Sequence, residues 1–156
     1  MSRQQRFSSE DFSAALTGKS IILVGLMGAG KTCIGKLLAR KLGMDFSDAD
    51  AEIEAAANRT IPEIFAEFGE QAFRDGERRV IARLLSGRPR VIATGGGAFI
   101  DEETRAKSRQ KAVSIWLKAD IDVLLQRVSR RNDRPLLQGS DKRQTLENLM
   151  TERYPT

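Results

Sequence analysis

The chain contains no histidine, and only one cysteine, one tyrosine and one tryptophan. Without an imidazole there is no histidine ligand for a metal and no histidine general acid. Any general base has to be a carboxylate, a lysine, the tyrosine or the cysteine. The single Cys33 has no partner for an internal disulfide, which points to a reduced, cytoplasmic setting. No apolar run is long enough to cross a bilayer or serve as a signal sequence, so no membrane partner is expected. Neither sign of charge is scarce: 26 lysines and arginines face 21 acidic residues, for a formal charge of +5. The basic residues are spread along the chain, a balance that fits an anionic nucleotide and substrate without nucleic acid. A chain of 156 residues suits one domain, expected as a monomer, that buries roughly 68–70% of its unfolded surface and holds a core without staples.

What is present is concentrated in one stretch. Residues 25–32 read G-L-M-G-A-G-K-T, a full match to the phosphate-binding loop pattern G-x-x-x-x-G-K-[ST]. Chance produces such a match in a chain of this length at roughly one in two hundred. A glycine-rich turn lets successive backbone N–H groups, those of Gly28, Ala29 and Gly30, point at phosphate oxygens. The helix beyond adds its positive end, at Lys31, Thr32 and Cys33, to the same charge. Lys31 would reach the β and γ phosphates of ATP, and the Thr32 hydroxyl would ligate Mg²⁺. The Cys33 thiol at a helix start could be acidified, but the simpler reading is a small residue packing beside the loop. Residues 20–25 form a short β-branched run, and Ile34, Leu37, Leu38 and Leu42 recur at helical spacing, so the loop joins a strand to an amphipathic helix. The alternative is a glycine turn with no ligand.

Residues 1–19 read as a polar extension, with a short helix at 10–16, and residues 20–156 as a single domain. A strand at 44–47 leads into Asp48-Ala-Asp50, and 51–58 is helical. Thr60-Ile-Pro-Glu63 is a capping box with proline in the first turn. It opens a helix that Gly69 interrupts and that resumes from about residue 70 to residue 85. A buried strand at 90–94 ends in Gly95-Gly96-Gly97, a polar helix covers 101–110, and a further core strand covers 113–117. Helices at 120–130 and 141–153 flank an arginine-rich stretch with a lid near 130–140. Strands alternating with helices imply right-handed crossovers and a parallel sheet covered by helices on both faces. The phosphate loop, Asp48-Ala-Asp50 and the triple glycine all follow strand ends, where ligands gather in such sheets.

In order along the chain stand G-L-M-G-A-G-K-T, F-S-D-A-D at 46–50, I-P-E-I-F at 61–65 and G-E-Q-A-F-R-D-G-E at 69–77. T-G-G-G at 94–97, R-P-L-L at 134–137 and E-R-Y-P at 152–155 complete the series. Together these segments closely resemble shikimate kinase, a small member of the nucleoside-monophosphate-kinase-like P-loop fold, over almost everything from residue 21 to 155. The resemblance implies a three-layer α/β/α fold with a parallel sheet of about five strands in the order 2-3-1-4-5, or one fewer if the last edge strand is absent. It also implies ATP-dependent phosphorylation of the 3-hydroxyl of shikimate, on the route to chorismate and aromatic amino acids. It implies that Asp48 helps hold Mg²⁺ through water and that Asp50 meets the attacking hydroxyl as the candidate base. Arg74 and Arg153 match the arginines that grip the substrate carboxylate, as a guanidinium fork can. Gly96 matches the glycine whose backbone approaches the substrate. Glu77, one helical turn after Arg74, could hold that guanidinium in place. Arg134, fixed in extended backbone by Pro135, matches the lid arginine that closes over the phosphates and neutralises transition-state charge. Arg130 or Arg131 is expected on adenine. Taken one by one, these residues also suit plainer roles: Asp48 a helix cap, Arg74 an exposed helix charge, the lid stretch a solvated basic turn. The chain ends at Thr156, where members of the family continue into a final edge strand, an adenine-side loop and a closing helix. The phosphate loop alone does not choose the acceptor. A kinase of another polyol acid such as gluconate, or a non-catalytic nucleotide-binding module, would share it. The aspartate pair, Arg74 and the triple glycine favour shikimate.

Overall fold

The computed structural model describes residues 16–25 and 30–118. The expected helix at 10–16, the fifth strand, the lid and the helices beyond 118 lie outside that range, except Leu16, which sits in a turn. The elements run β1 (Ser20–Val24), α1 (Lys31–Leu42), β2 (Asp45–Asp48), α2 (Ala49–Ala57), α3 (Ile61–Ser86), β3 (Arg90–Ala93), a 3₁₀ turn (Ala98–Ile100), α4 (Glu102–Lys111) and β4 (Ala112–Trp116). All strand pairs are parallel, and the sheet order is β2-β3-β1-β4. That is the expected order over the described strands.

The central strands are buried on both faces, which is why they read as unbroken apolar runs. Ile21, Ile22, Leu23, Val91 and Ile92 have no exposed surface. Alternate residues supply the two layers: Ile22 and Ile92 pack with Ile53, Ile64, Phe73, Ile81 and Leu84 from α2 and α3. Ile21, Leu23 and Val91 pack with Ala39, Leu38 and Leu42 of α1. Two layers of helix thus hold the sheet rigid beneath its carboxyl edge.

Local signals set most boundaries. Thr60 and Glu63 form the reciprocal capping box at the start of α3. Gly69 adopts φ 85° inside α3, a left-handed value that glycine takes without a Cβ penalty, and the helix kinks there. Two boundaries differ from expectation. α2 begins at Ala49 because the Asp48 carboxylate caps it, so Asp50 lies in the first helical turn. β4, expected as a core strand, alternates: Val113 and Ile115 are half-buried while Ser114 and Trp116 are exposed, and among the described residues it pairs with β1 alone.

Asp101 ties α3 to α4. Its Oδ2 accepts from the Thr104 N–H at 2.8 Å and the Thr104 hydroxyl at 2.9 Å, while Arg78 Nε donates to Oδ1 at 3.0 Å. Burial pushes the carboxyl up, but the two Thr104 bonds and the Arg78 charge outweigh it and hold Asp101 below its ordinary value. A carboxylate depressed on folding contributes stability above its unfolded pKa and loses it as pH falls through the folded one. Asp101→Ala is therefore expected to cost about 1 kcal/mol near neutral pH, as for a lost N-cap. The difference from the parent should shrink as pH falls below about 4. Urea melts of both proteins across that range check it. A difference that stays constant with pH would remove the ionic part of the argument.

Candidate active site

Strand register brings the chemistry together. Leu23 of β1 and Asp48 of β2 both lie level with Ala93 of β3, so the three segments leave the sheet side by side. Thr94 clamps the exit, its N–H at 3.3 Å and its hydroxyl at 2.8 Å both donating to the Leu23 carbonyl. β1 runs directly into Gly25, and α1 starts at Lys31. No side chain caps α1, and no acid stands in its first turn, so its positive end is left to a ligand. Lys31 is buried and its ammonium donates back to the Gly25 carbonyl, joining the two ends of the loop. Gly28 and Ala29 lie outside the described residues. Gly30 is half-buried at the N-cap and Cys33 is exposed on α1.

Asp48 serves two partners at once. Its Oδ1 caps α2, accepting from the Asp50 N–H at 2.9 Å and the Ala51 N–H at 3.3 Å, and its Oδ2 accepts from the Thr32 hydroxyl at 2.9 Å. The helix-cap reading and the metal-site reading thus describe different oxygens of one carboxylate. A hydroxyl and a carboxylate oxygen held side by side are hard donors of the kind Mg²⁺ takes, one or two from protein with phosphates and water completing the shell. The pair fits such an ion.

Asp50, Glu77, Arg74 and the triple glycine form the second half of the site. A methyl group built on Gly95 would stand 2.9 Å from Glu77 Oε2 and 3.0 Å from Asp50 Oδ1. Both carboxylates therefore rest against that backbone. Glu77 is 3% exposed and accepts from Arg74 Nη1 at 3.0 Å. Arg74 also reaches Glu70 at 3.4 Å and lies 5.2 Å from the centre of the Phe73 ring. A methyl on Gly97 would meet the Arg74 guanidinium at 2.7–2.9 Å. Gly97 has φ −109°, open to any residue, so glycine stands there for space and not for conformation. Gly96, the member singled out by sequence, is half-buried between them. The T-G-G-G run drew attention to this turn, but only the placement of α3 shows that its outer glycines accommodate protein side chains. Arg134 and Arg153 lie outside the described residues.

A phosphate loop feeding the first helix of a β2-β3-β1-β4 parallel sheet, with a separate polar cradle beside it, defines a P-loop kinase of the small-molecule type. The shikimate kinase family model matches residues 27–156. A shikimate kinase of Caulobacter vibrioides is 60% identical over 145 residues, spanning 93% of this chain and 72% of that one. One of Bradyrhizobium diazoefficiens is 62% identical over 145 residues, 93% of this chain and 70% of that one. Among solved structures, a shikimate kinase from Acinetobacter baumannii in complex with shikimate superposes with a TM-score of 0.87 at 42% identity, covering 92% of this chain and 80% of the other. The chain belongs to the shikimate kinase family.

Proposed function

We propose that the residues of this site divide the family's reaction among themselves in the following way. The chain is an ATP-dependent kinase that transfers the γ-phosphoryl group to the 3-hydroxyl of shikimate, with Mg²⁺ as the metal. Thr32 and Asp48 hold the ion, which screens the phosphate charge when bound. Gly30, Lys31, Thr32 and Cys33 line the phosphates from the helix side, with Gly28 and Ala29 completing the loop. Asp50 orients the attacking hydroxyl and is positioned to receive its proton. Arg74, braced by Glu77, grips the substrate carboxylate beside Gly96, with Arg153 as the second grip and Arg134 closing over the phosphates. The reading includes a monomer in the cytoplasm, where a lone cysteine meets no oxidised partner.

The observation that carries this assignment is the contiguous contact of Asp50, Gly95, Glu77, Arg74 and Gly97 at the same sheet edge as Lys31. A carboxylate to meet a hydroxyl and a guanidinium to meet a carboxylate thus stand at the edge where Lys31 would hold the phosphates. A coupled assay with ATP against shikimate and gluconate tests it. Sites built around polar groups reject analogues lacking the matching group by about 10⁴-fold. Shikimate should therefore exceed gluconate in kcat/KM by a large margin, and equal turnover of both would overturn the reading.

Gly97→Ala probes the grip directly. The new methyl displaces the guanidinium of Arg74 without straining the backbone. A hydrogen bond to a charged group is worth about 1.5–3 kcal/mol, so the KM for shikimate should rise roughly 10- to 100-fold while the KM for ATP stays put. Steady-state kinetics with each substrate varied in turn check this, and a parallel rise in both constants would place the damage elsewhere.

A further inference from the structure

α2 and α3 enclose a groove of about 500 Å³ on the side of α3 away from Arg74. At 100° per residue, Ala72, Gly76, Arg79 and Arg83 fall roughly opposite Arg74 around the helix, and all four line the groove. The lining is small and apolar: Ala56, Ala57, Ala72 and Gly76 form an open floor over the buried Ile53 and Val80. Phe68, 57% exposed, forms one end. Gly76 has a helical backbone and nothing within 4 Å of the position its Cβ would take. A glycine there costs about 1 kcal/mol relative to alanine, and neither backbone conformation nor crowding requires it; its effect is to keep the groove open.

Three arginines stand along this apolar slot. Arg59 is held by Glu67 at 2.7 Å and lies 5.5 Å from the centre of the Phe68 ring, and Arg83 is held by Glu52 at 2.9 Å. Arg79 differs: among the described residues it donates only through Nε, to the Asp75 carbonyl at 3.3 Å. Its two terminal nitrogens are the fork that grips a carboxylate or phosphate in two parallel bonds. A volume of this size, apolar within and cationic at one edge, matches a small organic ligand.

We infer that this groove is a second binding site, distinct from the acceptor pocket, for a small anion with a flat apolar body, its ring on Phe68 and Ala72 and its anionic group on Arg79. The ring contributes by displacing water from the alanine floor, and the anion sets the orientation. An uncharged analogue keeps only the first contribution.

The test uses 3-phenylpropionate as the probe and 3-phenylpropanol as its uncharged counterpart. Both are titrated into the ¹⁵N-labelled full chain with shikimate and ADP–Mg²⁺ at saturation, so that the established pocket is filled. The acid is expected to shift the amides of Ala56, Ala72 and Gly76, and the alcohol to bind at least 10-fold more weakly. Gly76→Leu fills the slot and should abolish the shifts. Arg79→Ala, a surface change with little bearing on folding, should weaken the acid at least 10-fold and leave the alcohol unaffected. No shifts at these amides, equal binding of acid and alcohol, or unchanged binding by both variants would each overturn the inference.

Discussion

Lys31→Ala is expected to lower kcat by about 10²- to 10³-fold, the loss typical of removing one preorganised donor from developing negative charge. The ammonium is buried and anchored on the Gly25 carbonyl, at the start of a helix with neither an acid in its first turn nor a side-chain cap. The start of that helix thus favours an anion, and the lysine supplies the full charge. In a water-poor site that charge acts through a lower effective dielectric than in bulk solvent. Charge shifts onto the leaving oxygen and the transferring oxygens as the transition state is reached, so kcat should fall further than the KM for ATP rises. Lys31→Met keeps the apolar stem and should behave like the alanine variant, which assigns the loss to charge and not to packing. Circular dichroism and steady-state kinetics of both variants suffice. A kcat within 10-fold of the parent in either variant would overturn the role.

The readable parts of this chain are those governed by local chemistry. The capping box at Thr60 and the break at Gly69 are each set by a few neighbouring residues, and each falls where the pattern puts it. The parallel sheet follows from alternation of strands and helices with right-handed crossovers, whereas the order of its strands comes from the family resemblance. What escaped the pattern depends on distant neighbours. β4 reads as a core strand because Val113, Ile115 and Leu117 are apolar, yet its burial is decided by which strands flank it in the sheet. Asp48 reads as either a cap or a metal ligand because the letters do not show that its two oxygens face different partners 16 residues apart and next door. Arg74 and Glu77 at helical spacing announce an ion pair, whereas the need for glycine at positions 95 and 97 arises only when α3 lies against the turn after β3. The site is thus legible as chemistry, and the packing that makes it work is not.

Asp50→Asn separates two ways in which a carboxylate can assist phosphoryl transfer. Asp50 sits in the first turn of α2, its N–H bound to Asp48 and its Oδ1 against Gly95, so the backbone fixes where its carboxylate stands. If it served chiefly to remove a proton, asparagine and alanine would be equally inactive, since neither is basic. Phosphoryl transfer passes through a loose transition state in which bonding from the attacking hydroxyl lags and its proton is lost late. Orientation of the hydroxyl, which an amide oxygen can still provide as an acceptor, should then carry much of the effect. Asp50→Asn is accordingly expected to lose about 10²-fold in kcat, and Asp50→Ala a further tenfold or more, within the range of one positioned catalytic group. Equal kcat for the two variants would assign the residue to proton removal instead of orientation, and activity near the parent level in both would remove it from the reaction altogether.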